Sequence, residues 1–258
     1  MRTFQLFGHH IAYSLSPALH AAALAELGLP HRYVLADVSP ADFPAALAAL
    51  RGHDGGANVT VPHKAAAAQL VDELSPQAAA LGAVNTVVVD GGRLIGHNTD
   101  LPAVAAEINL LRPHPRHAVV LGAGGAAQAV LYALRERAAR VTVLQRRDGS
   151  LAQAGSVLPD ADLLVNTTPV GTQSAELPVP AEALHPGLAV LDLVYRPTPT
   201  ALVAAARALG APAAAGGGML VGQAWRSLAL WLAADGVAVD QSVAPAMWRA
   251  FDEGISHD

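Results

Sequence analysis

The sequence predicts an α/β protein of two domains, and three observations carry that prediction. Through the first hundred residues, short strand-like runs alternate with Ala/Leu-rich helical patterns; after the proline-rich segment RPHPRH (112–117) a second series of apolar strands begins; and from Gly216-Gly217-Gly218 onward the pattern is helical. Strand and helix signals in this alternation define the α/β class. The expected boundaries are 1–101, completed by 219–258, for one domain and 102–218 for the other.

The first strand signal is FQLF (4–7), followed by a helical pattern from Pro17 to Leu27, the strand RYVLADV (32–38), a helical pattern from Pro40 to Leu50, and the strand GANVTV (56–61). Ser16-Pro17 and Ser39-Pro40 each read as an N-cap with proline at the first helical position. The segment AVNTVVVDGGRLIGHN (83–98) reads as two strands joined through Asp90-Gly91-Gly92, a hairpin turn. A helix from Asp100 to Leu111 then runs into RPHPRH. In the second series, AVVLGAGGAAQAVLYAL (118–134) is strand, glycine turn and helix in succession. VTVL (141–144), DLLVN (162–166) and LAVLDLV (188–194) are near-continuous apolar runs, as expected of parallel strands buried on both faces. The final helix is expected to end near Asp252.

Composition narrows the function classes. Of 258 residues, 52% are hydrophobic and 14% charged, yet no apolar run approaches the roughly 20 residues of a membrane span. The N-terminus MRTFQLFGHH lacks the apolar stretch and cleavage site of a secretory signal, so a cytoplasmic protein is expected. Without cysteine there is no disulfide or thiolate chemistry. A net charge of −5 with no basic block argues against nucleic acid and for a small-molecule partner. No metal site is expected.

Gly122, Gly124 and Ala127 form a G-x-G-x-x-A arrangement after an apolar strand and at the opening of a helix. Glycines there permit a tight turn and let the backbone approach a pyrophosphate, which meets the positive helix N-terminus; the domain therefore reads as Rossmann-like and NAD(P)-binding. The next strand ends at Gln145, and Arg146 and Arg147 follow where an acid would mark NAD. An arginine accommodates a 2′-phosphate, which favours NADP, whereas Asp148 could reach a ribose edge and keeps NAD open. A solvated charge cluster is the alternative reading.

Three further stretches hold polar residues in positions that chemistry uses. Ser14 and Ser16 precede a helix whose free N–H groups suit a carboxylate, although Ser16 as a simple cap reads equally well. In ANVTVPHK (57–64) an apolar strand stops at Pro62, which is expected to fix the first turn of a helix, and Lys64 follows near the positive end of that helix, where the field disfavours an ammonium and a lysine can trade protons. Asp100 opens another helix, whose dipole keeps it ionised, and beside Lys64 it would hold the ammonium in position. A structural lysine and a capping aspartate account for the same residues.

Together these motifs resemble the shikimate dehydrogenase family, and the resemblance spans nearly the whole chain: SLSP (14–17), NVTVPHK (58–64), GAVNT (82–86), GHNTD (96–100), GAGGAA (122–127), NTTPVG (166–171), DLVYRP (192–197) and GGGMLVGQA (216–224). Each motif is short, but their order and spacing are specific. The resemblance implies an N-terminal α/β substrate domain completed by C-terminal helices, a Rossmann-like domain, and an NADP-linked interconversion of 3-dehydroshikimate and shikimate in aromatic amino-acid biosynthesis. It implies Lys64 and Asp100 as the catalytic pair, with Ser14 and Ser16 on the substrate carboxylate. Thr60, Asn85 and Gln223 would hold ring hydroxyls or the carboxylate, and Tyr195 would line the space beside the nicotinamide. Gly122, Ala123, Gly124, Gly125, Ala126, Gln145, Arg146, Arg147, Gly216 and Met219 would form the cofactor-binding set. A monomer or homodimer is expected.

Three departures from the family pattern stand out. Tyr13 occupies a position where the family often has histidine. LQRRDG (144–149) is closer to the form found in quinate/shikimate dehydrogenases with dual NAD and NADP use. Residues 146–160 leave room for one short helix between strands, so an edge strand usual in the family would be missing and the adenosine end of the site more open. The alternatives are therefore a dual-cofactor quinate/shikimate dehydrogenase, or a catalytically idle metabolite sensor on the same fold. The presence of both Lys64 and Asp100 argues against the latter.

Overall fold

A computed structural model describes residues 1–256. In chain order the elements are β1 (Thr3–Gly8), α1 (Ser16–Glu26), β2 (Arg32–Asp37), α2 (Phe43–Ala49), β3 (Gly56–Val59), α3 (Lys64–Leu70), β4 (Glu73–Leu74), α4 (Pro76–Leu81), β5 (Thr86–Asp90), β6 (Arg93–His97) and α5 (Asp100–Leu111). There follow β7 (His117–Leu121), α6 (Gly125–Leu134), β8 (Arg140–Leu144), α7 (Ala154–Val157), β9 (Leu163–Asn166), β10 (Ala189–Asp192), α8 (Ala201–Ala208), β11 (Ala213–Ala215), α9 (Gly217–Leu232) and α10 (Ala244–Ser256). The expected α/β class holds. The chain divides into two compact units, one of Met1–Asp100 with Val221–Asp258 and the other of Leu101–Leu220.

The first unit is built on a mixed six-stranded sheet in the order β2-β1-β3-β5-β6-β4. The β5–β6 hairpin pairs Asp90 with Arg93. Its two turn residues, Gly91 and Gly92, have φ of +54° and +80°, the left-handed pair that matches strand twist in a two-residue hairpin. Phe7, Phe43, Leu47, Val59, Val87 and Leu94 form the core on one face of this sheet. On α9, Trp231 stacks on Phe4 with centroids 4.6 Å apart, and its Nε1–H donates to the Val87 carbonyl at 2.9 Å. A Cβ placed on Gly254 of α10 would lie 2.6 Å from Leu15, which shows how closely that helix packs at the start of α1.

The second unit holds a five-stranded, all-parallel sheet in the order β11-β10-β9-β7-β8. All five residues of β7 and all four of β9 and β10 are buried, so the apolar runs in the sequence reflect coverage on both faces. Strand β8 is an edge of the sheet, and the connection from it to β9 consists of short helical turns, as the spacing allowed.

Several local expectations are corrected. Ser16 is the first residue of α1 rather than its cap; the N-cap is Leu15 without a side-chain bond, and Ser14 Oγ accepts the Ser16 N–H at 3.2 Å. Ser39 closes a turn instead of capping a helix, accepting the Asp42 N–H on its hydroxyl and the Phe43 N–H on its carbonyl, so α2 starts at Phe43. Pro62 lies outside a helix, in a turn with a cis Val61–Pro62 bond that is closed by the His63 N–H donating to the Thr60 carbonyl; α3 starts at Lys64. Finally, α10 continues past Asp252 to Ser256.

Candidate active site

In the first unit, the strand ends and the helices that follow them bring three of the expected residues together. Lys64, at the start of α3, donates from Nζ to Asp100 Oδ2 at 2.6 Å. Asp100, the first residue of α5, takes the Asn85 Nδ2–H on Oδ1 at 2.9 Å. Asp100 is buried while the Lys64 side chain keeps about a fifth of its exposure. Having a carboxylate so close offsets the unfavourable helix end around the ammonium. The pair is thus ionic, fixed at one carboxylate oxygen by lysine and at the other by an amide. Thr60 belongs to the turn between β3 and Lys64.

Beneath this centre lies a buried polar network. Asn85 Oδ1 accepts the Thr99 N–H at 2.7 Å, and its Nδ2 also donates to Thr99 Oγ1 at 2.9 Å. Ser227 Oγ lies 2.8 Å from Thr86 Oγ1, 3.1 Å from Thr99 Oγ1 and 2.9 Å from Asn58 Nδ2, and donates to the Gln223 carbonyl at 3.0 Å. Asn58 Oδ1 accepts the Tyr33 hydroxyl proton at 2.8 Å. Burial pushes the Tyr33 phenol far above its usual range, against a smaller opposing effect of the Ser16 side chain. A run of hydrogen bonds therefore connects Tyr33 through Asn58 to Asn85. Tyr33, Asn58, Thr86, Thr99 and Ser227 were not foreseen as site residues. Asn58, Thr86 and Thr99 stand within recognised motifs, and Ser227 is one helical turn after Gln223, a spacing that could have revealed it.

The second unit contains a cavity of about 530 Å³ lined by Gly122, Ala123, Gly124, Gln145, Arg146 and Arg147, among others. Gly122 has φ +100°, and a Cβ there would lie 2.7 Å from Thr167 Oγ1, so glycine is required on both counts. Gly124 caps α6, and Gly125 and Ala126 form its first turn rather than the cavity lining. The glycine cradle, the open helix start and the two arginines fit a dinucleotide diphosphate carrying a further phosphate. Asp148 is not among the lining residues. Its Oδ1 is taken by the Ser150 N–H at 2.9 Å and hydroxyl at 2.6 Å, and these bonds hold the carboxyl below its usual range. The ribose contact considered for Asp148 is thus opposed by its local bonding.

Of the remaining expected residues, Tyr195, Gly216 and Met219 lie in the second unit. Gly216 N–H donates to the Val194 carbonyl at 3.0 Å, and a Cβ there would strike the Leu193 carbonyl. Asp192, at the end of β10, accepts from Asn166 Nδ2 (2.9 Å), the Val194 N–H (3.1 Å) and Thr200 Oγ1 (2.7 Å), fixing both ends of the segment that bears Tyr195. Burial pushes its carboxyl up despite these bonds.

A parallel sheet with a glycine cradle, together with a second sheet presenting a lysine–aspartate ion pair, is the build of a dinucleotide-dependent oxidoreductase. The family model for the shikimate dehydrogenase substrate binding domain matches residues 6–87. Shikimate dehydrogenase (NADP(+)) of Methylobacterium radiotolerans is 42% identical, over 87% of this chain and 89% of that protein. The Streptomyces avermitilis protein of the same name is 43% identical over 85% and 86%. The crystal structure of shikimate 5-dehydrogenase from Thermus thermophilus, in complex with NADP(H) and shikimate, superposes with a TM-score of 0.84 at 39% identity, covering 97% of this chain and all of that one. The chain belongs to the shikimate dehydrogenase family. Among the described residues, no helix is long and apolar enough to cross a membrane.

Proposed function

We propose that the chain is an NADP-dependent shikimate dehydrogenase that reversibly reduces 3-dehydroshikimate to shikimate. The observation that carries this reading is the Lys64–Asp100–Asn85 constellation, with its 2.6 Å ion pair and 2.9 Å amide bond. The relatives' names and the Thermus structure support the substrate and the cofactor. We assign substrate binding to the first unit and cofactor binding to the second, with Gly122, Ala123 and Gly124 at the diphosphate, Gly125 and Ala126 contributing the helix N-terminus behind them, and Arg146 and Arg147 at the 2′-phosphate. Gly216 and Met219 serve the nicotinamide end. The withdrawal of Asp148 onto Ser150 favours NADP over NAD.

When bound, NADP supplies or accepts the hydride. Lys64 manages the matching proton: in reduction its ammonium passes a proton to the substrate oxygen as negative charge develops there, and in oxidation the neutral amine takes it back. Asp100 fixes the ammonium through Oδ2, while Asn85 prevents the carboxylate from turning by holding Oδ1. Ser14 and Ser16 hold the substrate carboxylate, and Thr60, Asn85, Tyr195 and Gln223 hold or flank the ring. The enzyme acts in the cytoplasm as a monomer or homodimer.

The test is shikimate oxidation with NADP followed at 340 nm. Lys64→Ala should lower kcat by about a hundredfold or more with little change in the shikimate KM, because the proton is needed chiefly in the transition state. Near-normal turnover by this variant would refute the assignment.

A further inference from the structure

We propose that Asp37 is a positioning residue for the Ser14–Ser16 segment, acting through the backbone of His10 and Ile11 to set affinity for the substrate carboxylate; this rests on the role given above to the two serines. Asp37 ends β2 and pairs in register with Gly8, the last residue of β1. From Gly8 the chain must turn sharply to reach α1, and it does so through His10 at φ +57°, a left-handed conformation on a residue that is not glycine.

The carboxylate of Asp37 spans that turn. Oδ1 accepts the His10 N–H at 3.0 Å and lies 3.3 Å from His9 Nδ1, while Oδ2 takes the Ile11 N–H at 3.4 Å. Successive N–H groups therefore converge on one anion, as in a backbone nest. The His10 bond is the largest influence holding the Asp37 carboxyl below its usual range, with smaller help from His9 and Ile11.

From this anchor the bonding leads directly to the serines. Ile11 is buried, and a Cβ on Gly8 would strike its side chain, so its position is tightly set. The Ile11 carbonyl accepts the Ser14 N–H at 3.0 Å, and Ser14 Oγ accepts the Ser16 N–H at 3.2 Å. Releasing Asp37 would free His10 to leave the left-handed region and would move Ser14 with it, whereas Lys64, Asp100 and Asn85 form no hydrogen bond to this loop in the network described above.

The experiment compares the full-length wild type, Asp37→Ala, Asp37→Asn and the double variant Asp37→Ala/His10→Gly by steady-state kinetics, and follows amide hydrogen exchange over residues 9–16. Asp37→Ala should raise the shikimate KM about tenfold, the size of one lost charge-assisted hydrogen bond, with kcat and the NADP KM within about twofold of wild type. Asp37→Asn, which retains an acceptor oxygen, should be affected less. Glycine at position 10 adopts the left-handed turn without a side-chain clash, so the double variant should recover part of the loss. Exchange over residues 9–16 should accelerate in Asp37→Ala. An unchanged KM, or parallel losses in kcat and NADP affinity, would overturn the proposal. If wild type does not oxidise shikimate, the functional reading fails while exchange still decides the anchor: unchanged protection in Asp37→Ala refutes it, faster exchange upholds it.

Discussion

Replacing Asn85 with aspartate offers a sharp test of the catalytic centre, because it preserves shape and exchanges the amide that donates to Asp100 and to Thr99 for an acceptor. In the wild type, Nδ2 donates to Asp100 Oδ1 at 2.9 Å. An aspartate oxygen at the same distance would face a second carboxylate. The lost hydrogen bond to a charged group is worth about 1.5–3 kcal/mol. Two unit charges 2.9 Å apart repel by about 6 kcal/mol at an effective dielectric of about 20. The site cannot sustain both charges, so the two carboxyl groups should share one proton near neutral pH. Asp100 would then lose much of its hold on Lys64. Asn85→Asp should therefore lower kcat by at least about a hundredfold at pH 7, equivalent to roughly 3 kcal/mol. The loss of stability should grow as pH rises and the shared proton leaves. Asn85→Ala removes the donor without adding charge, so its defect should vary little with pH. The assay is kcat for shikimate oxidation together with thermal melting, for both variants, from pH 5.5 to 9. Matching pH profiles for Asn85→Asp and Asn85→Ala would refute the reasoning.

Three other outcomes follow from the geometry. Gly122→Ala places a methyl 2.7 Å from Thr167 Oγ1 at φ +100°, so NADP affinity measured by fluorescence titration should fall about tenfold or more, while shikimate binding measured by calorimetry stays unchanged. Ser227→Ala leaves Asn58, Thr86 and Thr99 to rearrange around a lost buried hydroxyl, at a cost of about 2 kcal/mol. Tm should drop by about 4–8 °C in calorimetry. His20 is completely buried and held neutral, its pKa lowered from 6.5 to about 4 chiefly by burial. The unfolded chain therefore binds more protons between those values, and stability contributed by this group is full above pH 6.5 and lost as pH falls toward 4, by roughly 3 kcal/mol in all. His20→Leu should flatten that part of the acid-unfolding curve, as followed by circular dichroism.

Much of this architecture was legible because the signals were local. The Gly91-Gly92 hairpin, the turn at Gly122 and the helix opening at Asp100 each depend on residues adjacent in sequence, and each lies where expected. By contrast, β11 is three alanines, Ala213–Ala215, paired with Val190, Leu191 and Asp192; alanine's intrinsic preference is helical, and only the neighbouring strand makes this segment extended. The two-residue β4 and the alanine-rich α4 and α8 were equally silent. At Ser16 a serine–proline pair leaves open which residue starts the helix, and here Ser14 provides the acceptor. Lys64 and Asp100 were named from their motifs, but their meeting depends on strand order across β3, β5 and β6. The polar groups beneath them converge from five separate segments, so no window of sequence contains the network. Which way Asp148 turns is likewise decided by side-chain geometry, through its capture by Ser150.

The first unit is interrupted, running from Met1 to Asp100 and resuming only at Val221. On the ribosome, Asn58, Thr86 and Thr99 emerge long before Ser227, the hydroxyl that joins them. The intervening unit is continuous in sequence and can acquire its parallel sheet while the earlier segment still awaits α9. A nascent chain arrested ahead of that helix would open the polar network to water and expose the Phe4 face that Trp231 covers, making incomplete translation products a natural target for chaperones and proteases.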